Sequence, residues 1–217
     1  MTEAEFEALA AQGYNRIPMV LETFADLDTP LSVYLKLANR SFSYLLESVQ
    51  GGERFGRYSF IGLPAATRIE VRGNIISVIS GMESQEIEAG DPLAFVESYL
   101  SRFKASPHPG LPRFCGGLVG YFGYDVVRYI ESRLAGQAGP DTLDTPDILL
   151  LLSEELAVVD NLSGKLYLIV YADPGVDGAY LATNKRLKEL LISLRKPVDV
   201  TVEWPLMEFF DMKLFVY

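Results

Sequence analysis

The sequence predicts an α+β fold in which antiparallel β-sheets form two sandwich-like layers flanked by three or four helices. Three observations favour this class. Many short apolar segments follow one another closely, tight-turn residues join them, and other segments carry apolar residues at helical spacing. Hydrophobic residues make up 49% of the 217 positions, which is enough to bury the core of one large domain or two small ones.

Helices are predicted from their caps and their apolar stripes. Thr2 and Glu5 form a capping box before a helix over about residues 3–12, and Thr29-Pro30 and Asp91-Pro92 each begin another helix. A last helix covers about residues 177–194. The stripes expected to face the core are Leu31, Tyr34, Leu35 and Ala38 in the second helix, Leu93, Val96 and Leu100 in the third, and Tyr180, Leu187, Leu190, Leu191 and Leu194 in the last.

Strands are predicted where β-branched and aromatic residues lie between turn residues. The predicted strands cover residues 16–23, 42–49, 58–62, 67–72, 75–80, 147–160 and 165–172. Gly73-Asn74 suits a tight hairpin turn, and Asp160-Asn161 suits local hydrogen bonding at another. Residues 148–152 are all apolar, which predicts a strand covered on both faces. Residues 81–90 are polar and predict a surface loop.

Residues 114–130, FCGGLVGYFGYDVVRYI, combine glycines with aromatic residues. Glycines in a strand favour close approach to another backbone, so we expect tight packing here. The segment is not a phosphate loop, because no Lys-Ser or Lys-Thr follows its glycines. Asp125 is predicted to cap a short helix. Residues 104–113 and 136–146 predict loops that flank this region.

Composition and charge exclude several classes of function. The net charge of −10 argues against nucleic acid as a partner, because phosphate binding requires a basic face. The longest apolar runs are far too short to cross a membrane, and the amino terminus does not resemble a signal peptide. Cys115 is the single cysteine, which fits a reducing compartment. We therefore predict a cytoplasmic chain with no nucleic-acid or membrane partner.

No catalytic constellation is predicted. His108 is the single histidine, so neither a metal site nor a histidine-based triad has support. Glu154 and Glu155 are adjacent, and adjacent strand residues point to opposite faces, which argues against a paired-carboxylate site. The sequence predicts neither catalytic residues nor a cofactor or metal in this chain.

Residues 44–62, YLLESVQGGERFGRYSFIG, carry the clearest binding groups. A strand-turn-strand unit brings the Glu47 carboxylate and the Ser48 hydroxyl near the Arg57 guanidinium. These groups complement the ammonium and carboxylate of an amino acid. The alternative is an ordinary hairpin with a surface ion pair of little energetic value.

The segments LLES (45–48) and GGERFGRYSFIG (51–62) resemble the N-terminal domain of anthranilate synthase component I, the large subunit, in the chorismate-utilising family. Three further segments of this sequence resemble the same domain in the same order: residues 17–37 (IPMVLETFADLDTPLSVYLKL), residues 114–125 (FCGGLVGYFGYD), and Pro146-Asp147 with VVDN at 158–161. The resemblance extends over about residues 14–195, and several motifs in one order are more specific than any single motif.

The resemblance implies that residues 1–196 form a regulatory domain that senses tryptophan for feedback inhibition. Leu46, Glu47 and Ser48 would line the tryptophan pocket, with Glu47 receiving the ammonium and Ser48 hydrogen-bonding the ligand. The adjoining strand would add contacts from Arg57, Tyr58 and Ser59. The parent enzyme would convert chorismate and ammonia or glutamine nitrogen to anthranilate and pyruvate in tryptophan biosynthesis. Its partner would be a glutamine amidotransferase subunit.

The sequence also departs from the family. It contains no motif of the C-terminal chorismate-binding catalytic domain, which would carry the magnesium, so we expect no lyase activity from this chain alone. Residues 197–217 form an atypical apolar tail, and exposed apolar surface favours self-association. Alternatives are the same domain of aminodeoxychorismate synthase component I of the folate pathway, a free-standing amino-acid-binding module, or an interaction module. Glu47 favours anthranilate synthase, because the folate relative tends to carry aspartate there.

Overall fold

The structure, a computed structural model, describes residues 1–47, 56–134 and 144–198. The helices of this part are α1 Glu3–Ala11, α2 Pro30–Leu37, α3 Pro92–Ser101, α4 Val127–Ile130 and α5 Ala179–Leu194, with short 3-10 helices at Tyr124–Val126 and Ser132–Leu134. The strands are β1 Ile17–Phe24, β2 Tyr44–Glu47, β3 Tyr58–Gly62, β4 Thr67–Arg72, β5 Ile75–Ser80, β6 Glu83–Glu88, β7 Gly117–Phe122, β8 Ile148–Ser153, β9 Glu155–Asp160 and β10 Lys165–Ala172. The predicted α+β class is confirmed.

The described strands form two five-stranded antiparallel sheets. Sheet one has the order β1-β10-β9-β3-β2, and sheet two has the order β6-β5-β4-β8-β7. The β4–β5 hairpin matches its prediction residue for residue, from Thr67 paired with Ser80 to Arg72 paired with Ile75. β2 is an edge strand of sheet one, so its outer side has no neighbouring strand among the described residues.

The chain passes between the sheets twice, first between β3 and β4 and then at Glu154, between β8 and β9. The prediction of a single strand over residues 147–160 is therefore wrong. The residues before and after Glu154 are both largely apolar and extended. The sequence pattern therefore gives no sign that the chain changes from one sheet to the other at Glu154. At this crossing the Tyr44 and Ser153 hydroxyls form a hydrogen bond of 2.7 Å, which joins β2 of sheet one to β8 of sheet two.

Three apolar clusters hold the layers together. The first lies between one face of sheet one and helices α1, α2 and α5; it includes Phe6, Ile17, Val33, Ile61, Leu168 and Leu187. The second lies under α3 on sheet two, around Ile69, Ile76 and Tyr99. The third cluster covers the other face of sheet one. There the ring of Phe60 packs against the ring of Phe114, which lies in the loop before β7, with ring centroids 5.2 Å apart.

Two of the predicted helix stripes are partly wrong. Leu31 of α2 and Leu100 of α3 are 55% and 44% exposed, whereas Val33 and Tyr99 are buried. Each helix is short, so a single buried residue and its neighbours one turn away decide which face meets the sheet. The stripe of α5 is confirmed, since Leu187, Leu190 and Leu194 are all buried in the first cluster.

The polar stretch 81–90 is not a loop throughout, because residues Glu83–Glu88 form β6. This strand is an edge of sheet two and, among the described strands, pairs only with β5. An edge strand that faces solvent needs few apolar residues, and its charges discourage pairing with other chains. Its polar sequence therefore lacked the alternation from which strands are predicted.

The glycine-aromatic segment packs as predicted. A methyl group at Gly120 would overlap the backbone carbonyl of Leu149 on the neighbouring strand β8. The predicted cap is wrong, because Gly123 is the N-cap of the following 3-10 helix and Asp125 lies inside it. Asp125 instead pairs with Arg128 at 2.9 Å, one turn further on. No helix in the described ranges is long and apolar enough to cross a membrane.

Candidate functional site

The residues predicted to bind an amino acid lie on β2 and β3 at the edge of sheet one. The register places Glu47 opposite Ser59 and Leu46 opposite Phe60. Residues paired across strands share a face and neighbours alternate, so Glu47 and Ser59 lie on the helix-covered side of the sheet. Leu46 and Tyr58 lie on the opposite side. Ser48, also predicted for the site, lies outside the described residues.

Accessibility separates these side chains into two groups. Glu47 is exposed and Leu46 is 47% exposed, so both can be reached from solvent. Ser59 is only 1% exposed, and Tyr58 is partly buried. Among the described residues, no cation forms an ion pair with Glu47. The Glu47 carboxylate is thus exposed at the end of the edge strand in the described part of the chain.

Arg57 forms an ion pair with Asp160, for which the sequence predicts only a role in a turn. Its Nε and Nη2 atoms donate to the two carboxylate oxygens of Asp160 at 3.0 and 2.7 Å. Asp160 is 1% exposed, and the hydrogen bonds from Arg57 lower its pKa to about 2. The backbone N–H groups of Leu162 and Ser163 also donate to this carboxylate, as expected at a turn. The guanidinium lies over the Tyr58 ring, 4.9 Å from its centroid.

Asn161, the next residue along the turn, forms hydrogen bonds to the residues at the start of β3. Its side-chain amide donates to the Gly56 carbonyl at 3.3 Å and to the Ser59 hydroxyl at 3.1 Å. Its backbone N–H donates to the Arg57 carbonyl at 2.7 Å. The turn between β9 and β10 therefore holds β3 beside the candidate site. Turn chemistry at Asp160-Asn161 was visible in the sequence, but no local signal could reveal partners about a hundred positions away.

A cavity of about 200 Å³ lies near the crossing between the sheets, and none of the predicted site residues forms its wall. Arg16 lies at this cavity, paired with Glu154 at 2.7 Å and Asp173 at 2.8 Å, and stacked on Phe103 with 4.8 Å to the ring centroid. Burial raises the pKa of Tyr171, another wall residue. The charged groups of this wall bind one another.

The two adjacent glutamates do not form a paired-carboxylate site. Glu154 binds Arg16, whereas Glu155 accepts a forked hydrogen-bond pair from Arg186 of α5 at 2.6–3.1 Å. Within the part of the chain that the structure describes, no three His, Cys, Asp or Glu side chains cluster as metal ligands. These residues therefore do not fit a magnesium site.

No protein-family model matches the chain. The similar proteins found by sequence and by structure nevertheless share one name. The chain is 56% identical over 199 residues to anthranilate synthase component 1 of Pseudomonas aeruginosa, covering 91% of this chain and 40% of that protein. It is 35% identical over 189 residues to the Aquifex aeolicus protein of the same name, covering 86% and 38%. The crystal structure of anthranilate synthase component I from Streptococcus pneumoniae TIGR4 superposes with a TM-score of 0.52 at 27% identity, covering 80% of this chain and 36% of that one.

The two-sheet fold and these matches agree on one kind of relative. The chain is similar over 91% of its length to part of anthranilate synthase component I, which confirms the resemblance found in its motifs. The chain spans about 40% of the length of the curated relatives it matches.

Proposed function

We propose that this chain is the tryptophan-sensing, N-terminal regulatory domain of an anthranilate synthase component I. The parent enzyme would convert chorismate and ammonia or glutamine nitrogen to anthranilate and pyruvate in the cytoplasm. A glutamine amidotransferase subunit would be its partner. The observation that carries the proposal is the exposed Glu47 carboxylate at the end of an edge strand, without a cation partner among the described residues.

Glu47 would receive the ammonium of tryptophan, because a carboxylate and an ammonium form a charge-assisted hydrogen bond. Leu46 would contact the indole ring. These side chains lie on opposite faces of the sheet, and a ligand would reach both along the outer edge of β2, which has no neighbouring strand among the described residues. The outer backbone groups of this edge strand could also bind the polar end of an amino acid.

The adjoining strand β3 would complete this side of the pocket. Arg57 and Tyr58 are stacked and partly accessible, so both can contact a ligand at the strand end. Ser59 is buried, accepts a hydrogen bond from Asn161 and pairs with Glu47 across the strands. It would therefore support Glu47 and would not contact the ligand from the surface. Ser48 belongs to the proposed site from its motif alone.

We propose that the remaining length of the parent protein supplies the rest of the pocket, the magnesium and the catalytic groups. The relatives are about two and a half times as long as the matched segment, since that segment is 40% of their length. One accessible carboxylate on a strand edge provides little enclosure for a ligand, whereas binding sites are usually concave. This chain alone should therefore bind tryptophan weakly and form no anthranilate.

The experiment is a calorimetric titration with L-tryptophan, using L-phenylalanine as the control ligand. It compares this chain with a hybrid in which residues 1–196 replace the matching segment of the Pseudomonas aeruginosa relative. We expect selective binding and inhibition of anthranilate formation in the hybrid, and weak or no binding by the chain. A hybrid that makes anthranilate without inhibition by tryptophan would overturn the sensing role. Anthranilate formation by the pure 217-residue chain would overturn the non-catalytic assignment.

A free-standing amino-acid-binding module is the second candidate, and the observation in its favour is the outer edge of β2, beside which the described part of the chain places no other strand. Tight and selective tryptophan binding by the chain alone would establish it over the first proposal.

A further inference from the structure

The cavity of about 200 Å³ near the crossing between the sheets has a largely apolar wall. The wall includes Leu100 of α3, Phe103 just after that helix, Leu152 of β8 and Tyr171 of β10. An apolar cavity of about 150 Å³ is large enough to bind benzene. This cavity can therefore hold one aromatic ring that carries a small substituent.

Two consecutive glycines shape part of the wall. Gly116 and Gly117 have φ angles of +154° and +123°, which other residues rarely adopt. A methyl group at Gly116 would lie 2.6 Å from the Tyr171 ring, so this ring packs directly on glycine backbone. A methyl group at Gly117 would meet no atom within 4 Å. The wall at Gly117 is therefore bare backbone beside open space.

Two charged residues of the wall each keep an unused hydrogen-bonding atom. Arg16 donates from Nε to Glu154 Oε1 at 2.7 Å, and from Nη1 to Asp173 at 2.8 Å and to the Asn15 carbonyl at 2.7 Å. Neither Arg16 Nη2 nor Glu154 Oε2 has a hydrogen-bond partner among the described residues. Both side chains are partly exposed, so a ligand in the cavity can reach them.

The hydroxyl groups of the wall are already engaged. Ser153 shares a hydrogen bond of 2.7 Å with Tyr44, and Tyr171 shares one of 3.4 Å with the Cys115 thiol. The hydrogen-bonding groups left for a ligand are therefore one donor, on the guanidinium, and one acceptor, on the carboxylate.

The charges at the cavity favour an uncharged ligand. The Arg16 guanidinium is bound by the carboxylates of Glu154 and Asp173, so an anionic ligand would meet two negative groups. A cationic ligand would meet the guanidinium. An uncharged group that both donates and accepts can satisfy the two free atoms without burying a further charge. A carboxamide is such a group.

We propose that this cavity binds a small, uncharged aromatic molecule that carries a carboxamide-like donor and acceptor. Its ring would pack between Phe103, Leu152 and Tyr171. Its oxygen would accept a hydrogen bond from Arg16 Nη2, and its N–H would donate to Glu154 Oε2. The site is independent of tryptophan sensing, because none of the residues proposed for the tryptophan pocket forms this wall.

The experiment is a titration of the ¹⁵N-labelled 217-residue chain with benzamide, followed in ¹H–¹⁵N correlation spectra. Benzoate and benzylammonium are control ligands of similar shape that carry a negative and a positive charge. Ala105→Phe is the blocking variant, since Ala105 is an exposed residue of the wall and can be enlarged without disturbing the core. Ala66→Phe is the matched control, because Ala66 is exposed just before β4 and is not part of this wall. The same spectra verify that each variant folds.

We expect benzamide to shift the amide signals of Ala105, Gly116 and Gly117 with a Kd of about 1 mM or tighter. Ala105→Phe should weaken binding at least about tenfold, whereas Ala66→Phe should match the native chain. Benzoate and benzylammonium should also bind at least about tenfold more weakly.

Three results would overturn the proposal. The first is the absence of saturable shifts up to about 10 mM benzamide. The second is equal affinity for the three ligands, because the donor and acceptor would then play no part. The third is unchanged affinity in Ala105→Phe, or shifts confined to residues away from the wall, because benzamide would then bind elsewhere.

Discussion

Arg57 and Asp160 form a two-point ion pair that joins the start of β3 to the end of β9 across 103 positions of sequence. The carboxylate is buried, whereas the guanidinium is partly open to solvent. Forked pairs of this kind fix the direction of the arginine as well as its position. The Arg57 side chain proposed for the tryptophan site is thus oriented by Asp160 before any ligand arrives.

Replacing Asp160 with asparagine should lower the free energy of unfolding by about 2 kcal/mol, because a buried charge-assisted pair loses its anion. Urea denaturation at neutral pH measures this difference. Asp177→Asn is the matched control, since Asp177 is an exposed acid in the loop before α5. An equal effect of the two substitutions would contradict the importance of the Arg57 contact.

The same pair predicts a dependence on pH. The pKa of Asp160 is lowered to about 2 in the folded chain, chiefly by Arg57, from an ordinary value near 4. A lowered folded pKa contributes stability above the ordinary value and loses it as the pH falls through the folded value. The difference in unfolding free energy between native chain and Asp160→Asn should therefore be constant above about pH 5 and shrink toward pH 2. A difference that stays constant down to pH 2 would refute this account.

Glu47→Gln should separate ligand binding from stability. Glu47 is exposed and has no ion-pair partner in the described structure, so the free energy of unfolding should change by less than about 0.5 kcal/mol. In the hybrid enzyme the variant should need at least about tenfold more tryptophan for inhibition, which corresponds to the loss of one charge-assisted contact. Activity without tryptophan should stay unchanged. Unaltered inhibition would remove Glu47 from the site.

Gly120→Ala should destabilise the chain by about 3 kcal/mol or prevent folding, because the added methyl group overlaps the Leu149 carbonyl. Gly90→Ala is the matched control. Neither glycine has left-handed backbone, and no atom lies within 4 Å of the position that a methyl group would take at Gly90. Thermal unfolding of both variants should distinguish them clearly. Equal melting temperatures would mean that β7 and β8 can separate at little cost.

Glu154→Gln and Glu155→Gln should have independent effects although the residues are adjacent. Glu154 binds Arg16 and Glu155 binds Arg186, and the two arginines belong to different parts of the fold. Each substitution should cost about 1 kcal/mol, and the double variant should equal the sum within about 0.5 kcal/mol. A double-mutant cycle in urea measures this. Strong coupling would indicate a shared site that the geometry does not contain.

Local sequence signals predicted the elements whose stability is local. The capping box at Thr2 and Glu5, the hairpin that turns at Gly73-Asn74 and the apolar stripe of α5 are all confirmed. In each case, hydrogen bonds or packing between near neighbours determine the conformation. β6 escaped prediction because an edge strand is defined by its partner β5 and not by its own pattern.

The candidate site was predictable only in part for the same reason. The motif brought Glu47 and the β3 residues together, and their antiparallel pairing is confirmed. The partners that hold β3, Asp160 and Asn161, reach it only after β9 has aligned beside it. The sequence also gave no sign that the chain changes sheets at Glu154. The extended apolar residues on both sides of Glu154 would fit a strand of either sheet.

The two crossings between the sheets have a consequence for how the chain is assembled. β3 and β9 are neighbours in sheet one, with Gly62 opposite Leu156, and the Leu63 N–H donates to the Glu155 carbonyl at 3.0 Å. The chain leaves sheet one after Leu63 and returns to it at Glu155, and the strands β4 to β8 between these two residues all belong to sheet two. Sheet two is thus an insertion at the tip of what would otherwise be a simple β3–β9 hairpin. A short turn in place of residues 64–154 would keep these strands paired, but it would remove Phe114 and uncover the second face of sheet one.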